Sequence, residues 1–227
     1  MASLLRAIVF IYFCFSFNNI QAMDIIKLPE PKDKKVVYLD GLLNKRYSIR
    51  TFKQKPISID DLSYILWCSY GFKKDGGRVV PSAGALYPLD IYIIAGSIEG
   101  KRNIEIIPGI YHYLPDKHQI ELIKKGDIRK DVANASLSQM WMASAPCMIT
   151  ITCEYKRITS KYRDRGIRYA HMEAGNVSQN IFLATFNTGL GCGIVGAFND
   201  DLVKTVMGIN KMHEPLLIMP IGFKIRQ

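Results

Sequence analysis

Three short segments of the sequence carry side chains whose types and spacing could do chemistry. In 45–52, KRYSIRTF, Arg46, Ser48 and Arg50 alternate, so in extended backbone they point to one side. Two guanidinium forks and a hydroxyl on one side would cradle a phosphate, because Arg binds phosphate oxygens in a bidentate, charge-assisted way. A solvated basic edge also accounts for such a triplet. In 81–88, PSAGALYP, two prolines bracket small residues and an aromatic. That composition suits a rigid loop whose backbone approaches a flat ligand closely, or a plain structural turn. In 161–169, KYRDRGIRY, Lys161 and Tyr162 are adjacent in a polar stretch. Neighbouring cations would lower the pKa of either group and let it move a proton at neutral pH; a solvated charge run is the alternative.

A fourth segment, 189–196, reads GLGCGIVG and contains GxGxxG at Gly191, Gly193 and Gly196. A dinucleotide-binding loop of that wording follows a strand and opens a helix. Here the string follows a long helical pattern and runs into a strand, so that reading fails, although a glycine-rich backbone could still offer amides to a ring system. His112, His118, His171 and His213 have no metal-ligand spacing with Cys or paired carboxylates. His112 and His118 flank a hairpin turn, which places them at the surface. GxSxG, Walker A and CxxC strings are absent from the sequence.

The elements that must position these residues follow from periodicity and punctuation. A short amphipathic helix is expected over 39–45 and a stronger one over 58–68. In the latter Ser58 caps, Asp60 and Asp61 favour the first turn, and Leu62, Ile65 and Leu66 share a face. Residues 69–87 read as glycine-rich and irregular. Strands are expected over 90–95, 147–153, 193–197 and 216–222, with a hairpin of 110–114 and 119–123 around Pro115-Asp116-Lys117. Residues 127–141 read as a helix broken by Ala145-Pro146. The longest helix is expected over 168–188, ended by Gly189 as a left-handed cap. Apolar residues nearly all round it (Met172, Val177, Ile181, Phe182, Leu183, Phe186) predict a helix buried in the middle of the fold. Strands and helices do not alternate as βαβ units, so the fold class is α+β.

The ends and the composition complete this reading. Residues 1–22 have a basic start, an apolar run over 7–17 and a polar end at Ala22, the pattern of a signal peptide and of an exported, periplasmic protein. Eleven apolar residues are too few to span a bilayer. Met23 is an alternative start that would make the protein cytoplasmic. An extended Pro- and Lys-rich arm follows over 23–38, and one domain occupies 39–227. The net charge of +10 on 227 residues is diffuse, without the clustered stripe of a nucleic-acid face. Cys147 and Cys153, about 20 Å apart on one strand, cannot pair with each other. Buried free thiols are the default for them and for Cys68 and Cys192.

Taken in order, RYSIRTF (46–52), PSAGALYP (81–88), GIYHYLPDKHQIELI (109–123), KYRDRGIRYAHMEAGNVSQN (161–180), GLGCGIVGAFNDD (189–201) and PIGF (220–223) resemble the nitroreductase superfamily. Within it they are similar to the SagB-type dehydrogenases, or thiazole/oxazole oxidases. The resemblance implies a nitroreductase-like fold: a central antiparallel or mixed sheet surrounded by helices, with a long central helix, in a homodimer carrying flavin mononucleotide (FMN) at the subunit interface. It implies that Arg46, Ser48 and Arg50, with Tyr47 among them, hold the FMN phosphate and ribityl chain, with Lys224 and Arg226 as further cations. Pro81, Ser82, Ala83 and Gly84 would line the flavin from the partner subunit, with Leu86 and Tyr87 nearby. Val195 and Gly196 would set backbone amides near flavin N5. Lys161 and Tyr162 match the pair that azoline-oxidising members use to remove protons. The sequence departs from the usual pattern at Asn176, where members commonly carry His.

Three functions follow from this resemblance. One is two-electron transfer between a small-molecule donor and a nitro- or quinone-type acceptor. A second is oxidation of an azoline-like heterocycle with Lys161 and Tyr162 as proton acceptors. The third is a flavin-binding protein without turnover.

Overall fold

The computed structural model describes residues 25–31, 38–101 and 103–225. The leader expected over 1–22, half of the arm, and Arg226 lie outside these residues. In chain order the elements are β1 (Ile25–Lys27), α1 (Leu39–Lys45), β2 (Ile57–Ser58), α2 (Ile59–Tyr70), β3 (Leu89–Ala95), β4 (Ile98–Glu99), β5 (Gly109–Leu114), β6 (Gln119–Lys125) and α3 (Arg129–Ala135). They continue with β7 (Cys147–Cys153), α4 (Lys156–Tyr162), α5 (Arg165–Asn187), β8 (Gly191–Cys192), α6 (Asp200–Met207) and β9 (Glu214–Gly222). The main sheet has the order β1-β6-β5-β3-β7-β9-β8, with every pairing antiparallel. A short parallel pair, β2 with β4, stands apart.

The central strands explain the layering. Every residue of β3 and β7 is buried, so both faces of the sheet must be covered. Ile91, Ile93 and Ala95 face the larger core with α2 and α5, whereas Tyr92 and Ile94 face a second core with α3 and α6. The strand period of two thus divides one segment between two cores. Helix α2 starts as its sequence dictates: the Ser58 hydroxyl accepts from Asp61 N at 3.1 Å, a cap worth about 1 kcal/mol. Helix α5 ends at Asn187, with Gly189 left-handed beyond it at φ 79°. No helix among the described residues is long and apolar enough to cross a membrane.

Several expectations are corrected. The helix expected over 127–141 stops at Ala135, because Leu137 and Ser138 both take positive φ (55° and 57°) and turn the chain into a 3₁₀ turn at Met140–Ser144. The strand expected over 193–197 is reduced to a single bridge, Val195 to Ile218, and the paired residues, β8, lie just before it. Gly193 N donates to Pro220 O, and Pro220 has no N–H to return, so the ladder breaks there. Lys161 and Tyr162 lie on α4 rather than in a loop. Helix α5 is not buried all round: Met172 is 58 % exposed and Ile167 40 %, and the helix buries one side only. His112 and His118 are not surface groups. His112 Nε2 meets Asp90 Oδ1 at 3.0 Å, and His118 sits between Ser63 Oγ and Tyr113 Oη, each at 2.8 Å.

Candidate functional site

The 46–53 segment runs between two elements that fix it. Ile49 N donates to Cys192 O (2.9 Å), Lys53 N donates to Phe223 O (2.8 Å), and Phe52 bridges Lys224. Ile49 and Phe52 are buried, 4 % and 3 % exposed, and pack with Ala145, Trp141 and Phe186. The glycines of GLGCG make this approach possible. A Cβ on Gly191 would meet Ile49 Cγ1 at 2.6 Å, and one on Gly193 would meet Ile49 O and the Trp141 ring at 2.7 Å. That glycine string is therefore a packing device for the basic segment.

With Ile49 and Phe52 turned inward, the cations line a rim of aromatic faces. The Arg46 guanidinium lies 5.0 Å from the Phe182 ring centre and Arg50 lies 5.9 Å from Trp141. Lys224 Nζ lies 5.4 Å from Phe186 and 5.9 Å from Tyr47, which itself meets Phe186 edge-on. None of the three cations meets a carboxylate among the described residues. Ser48, half-buried, lies between the two arginines in sequence. The Val195 N–H, expected to serve a ring system, donates instead to Ile218 O at 2.9 Å; Gly196 N–H has no such backbone partner among the described residues.

The second group forms at the other end of α5. The 81–88 loop folds on itself: Tyr87 N donates to Ser82 Oγ at 2.9 Å, and Gly84, Ala85 and Tyr87 all take positive φ (62°, 53°, 48°). Two non-glycine residues in that region within one short loop are uncommon, and such local strain clusters at functional sites. A Cβ on Gly84 would lie 2.8 Å from Tyr162 Oη and 3.1 Å from Lys161 Nζ. The structure thus brings Gly84, Lys161 and Tyr162 together, with Tyr162 edge-on to Tyr169 of α5 at 5.2 Å.

The Nitroreductase family model matches residues 43–223. The chain belongs to the nitroreductase family. A protein of Methanocaldococcus jannaschii named as a nitroreductase is 40% identical over 201 residues, covering 88% of this chain and 96% of that one. The microcin B17-processing protein McbC of Escherichia coli is 28% identical over 147 residues, 64% of this chain and 54% of its own length. Among solved structures, a nitroreductase-fold protein from Ralstonia eutropha superposes with a TM-score of 0.74 at 25% identity, covering 89% of this chain and 90% of that one. A chain of the E. coli microcin synthetase McbBCD complex superposes with a TM-score of 0.69 at 23% identity, over 88% and 78%. The nitroreductase-like fold is thereby established, and the chain is an oxidoreductase of this family.

Sequence reasoning gave no sign of a buried polar group that adjoins the candidate site. Beneath the 81–88 loop, Tyr70 Oη donates to Glu173 Oε1 at 2.6 Å and accepts from Leu89 N at 3.3 Å. Arg78 stacks on Tyr70 (4.1 Å) and Tyr87 (4.6 Å). Burial raises the Glu173 carboxyl above its ordinary pKa, and burial pushes the Tyr70 phenol up as well. Glu173 stands in the EAGN string, but a lone acid in an apolar helix carries no sequence signal for a role.

Proposed function

We propose that the chain is an FMN-dependent oxidoreductase, working as a homodimer, that moves two electrons between a reduced donor and a small acceptor. The observation that carries this reading is the rim of Arg46, Arg50 and Lys224, three cations on aromatic faces with no carboxylate among the described residues to neutralise them. A phosphate meets that need, and Arg presents the matching fork. Arg46, Ser48, Arg50 and Lys224 would hold the phosphate and ribityl chain, with Tyr47 against them; Arg226 is assigned there by resemblance only. Gly196 N–H would face the ring edge, and Val195 would pack beside it. FMN, when bound, supplies a store for two electrons.

Two features support the dimer. Large apolar side chains are exposed on α1, just after it and on α5: Leu39 at 60 %, Leu43 at 49 %, Tyr47 at 50 % and Met172 at 58 %. The cation rim sits by Phe182 and Phe186, while Gly84, Lys161 and Tyr162 sit by Tyr169, about 20 Å away along the helix at 1.5 Å per residue. Antiparallel contact between two copies of α5 would bring the rim of one chain to the loop of the other. Asn176 and the exposed Gly175, near the helix midpoint, would lie at the contact. Pro81, Ser82, Ala83, Gly84, Leu86 and Tyr87 of one subunit would then cover the flavin of the other.

A second reading, dehydrogenation of an azoline-like heterocycle, is favoured by the contact of Gly84 with Lys161 and Tyr162. Lys161 Nζ or Tyr162 Oη would take the substrate proton, and FMN, when bound, would be the acceptor of the hydride. Replacing Lys161 with Ala and Tyr162 with Phe separates the two. Retained NADH-driven nitro reduction supports the first reading, and loss of heterocycle oxidation in the same variants supports the second. A wild-type chain that supports neither reaction with FMN bound overturns both.

A further inference from the structure

Helix α4, which carries Lys161 and Tyr162, cannot hold its own position. It has seven residues, buries only Ile158, and has no side-chain cap at its N-terminus. A helix that short is unstable in isolation, so tertiary contacts must set its direction. It rests against α5 at its first turn, where Gly166 permits close approach: a Cβ there would meet the Ile158 carbonyl at 3.0 Å. That packing sets how close the turn lies to α5, and charge ties the same turn to β3. Arg157 Nη1 lies 2.8 Å from Asp90 Oδ2, and Arg157 Nε donates to Glu154 Oε2 at 2.7 Å.

Asp90 is the hub of that attachment. It is 9 % exposed, meets His112 at 3.0 Å on its other oxygen, and has His213 Nε2 3.6 Å from Oδ2. It lies on β3 two residues after Pro88, the end of the 81–88 loop. Arg157 lies four residues after Cys153, the end of β7. Leu89 pairs with Cys153 and Glu154 N donates to Pro88 O at 2.9 Å, so loop and helix leave neighbouring strands side by side. Arg157 and Lys161 are at i and i+4 and share a face of α4. A buried ion pair is poor evidence of stability, since apolar residues of similar volume commonly hold a fold as well. What this pair fixes is where the first turn of α4 points.

We propose that Asp90 is a positioning residue that, through Arg157, holds Lys161 and Tyr162 against Gly84. This rests on the reading that the Lys161–Tyr162 pair moves protons; Asp90 itself touches neither residue of that pair among the described contacts.

The test uses the full chain with 3-fluorotyrosine placed at position 162 and observed by ¹⁹F NMR, which needs neither substrate nor turnover. In the otherwise wild-type chain the resonance is displaced from its position in denaturant by the Tyr169 ring. In Arg157→Met and Asp90→Asn it moves at least halfway back to the denatured position while the melting transition stays cooperative. Arg157→Lys, which keeps the charge, restores most of the displacement. Folded Arg157→Met protein whose resonance stays at the wild-type position overturns the proposal, even where Asp90→Asn does not fold. The same samples are loaded with FMN: a wild-type chain that takes no flavin defeats the functional reading and leaves the ¹⁹F result to stand or fall alone.

Discussion

Gly84 and Tyr162 are in packing contact within one chain: a Cβ added to the glycine would lie 2.8 Å from the phenol oxygen. Gly84 also takes φ 62°, so Gly84→Ala combines a backbone cost with a displacement of Tyr162. Gly76→Ala is the matched control, with φ 92° and nothing within 4 Å of its Cβ. Both variants are expected to lose roughly 1–2 kcal/mol of stability, the cost of a left-handed L-residue. Only Gly84→Ala is expected to lower Lys161-dependent turnover, by on the order of 10²-fold, because misplacing a reacting group by about 1 Å has that effect. Thermal melts and steady-state rates on both variants check this.

The glycine-rich string makes a separate prediction. Gly193→Ala sets a methyl against Ile49 O and Trp141, whereas Gly196→Ala meets only Leu217 at 3.6 Å. Displacing Ile49 moves the arginines on either side of it. Gly193→Ala is expected to weaken FMN binding about tenfold or more, roughly 1.4 kcal/mol, and Gly196→Ala to leave it within a few-fold. Quenching of FMN fluorescence on titration measures both.

Much of this architecture was legible in the sequence, for identifiable reasons. Ser58 with Asp61 marked the start of α2, and alternating or continuous β-branched runs marked β3 and β7, because local signals and tertiary demands agree there. The break after Ala135 was hidden because Ser136-Leu137-Ser138 contains no Gly or Pro to announce two left-handed residues. The exposed side of α5 is hidden in the sequence because an apolar residue such as Met172 looks the same whether it ends in the core or on the surface. In the site, the arginine segment was visible from spacing. The Asp90–Arg157 pair and the Tyr70–Glu173 bond join residues 67 and 103 positions apart, which no local pattern reveals.

Glu173 predicts an unusual pH dependence. Burial raises its folded pKa above the ordinary 4.5, so its contribution is fully present below about pH 4.5 and is lost as pH rises through the folded value. Glu173→Gln keeps an acceptor for Tyr70 Oη and removes the titration. The variant's melting temperature is expected to match or exceed wild type at pH 8, with the advantage fading towards pH 4. A variant that is less stable at pH 8 and equal at pH 4 contradicts the assignment.

His118 and His213 act in the opposite sense. Burial holds both below the ordinary 6.5, so the unfolded chain binds more protons as pH falls through that range. Stability is expected to decline on acidification from about pH 7 to pH 5, before carboxylates such as Asp90 are protonated. His118→Asn, which suits the positive φ of 50° at that position, is expected to flatten part of the decline in a series of melts.

Under the proposed function, this nitroreductase-family chain binds FMN through Arg46 and Arg50. The direct measurement is an absorbance spectrum of protein incubated with FMN and then desalted. A retained flavin band near ~450 nm, bleached by dithionite and absent from folded Arg46→Ala/Arg50→Ala protein, is the predicted result. Wild-type protein that stays colourless after loading, or a double variant that keeps its flavin, contradicts it.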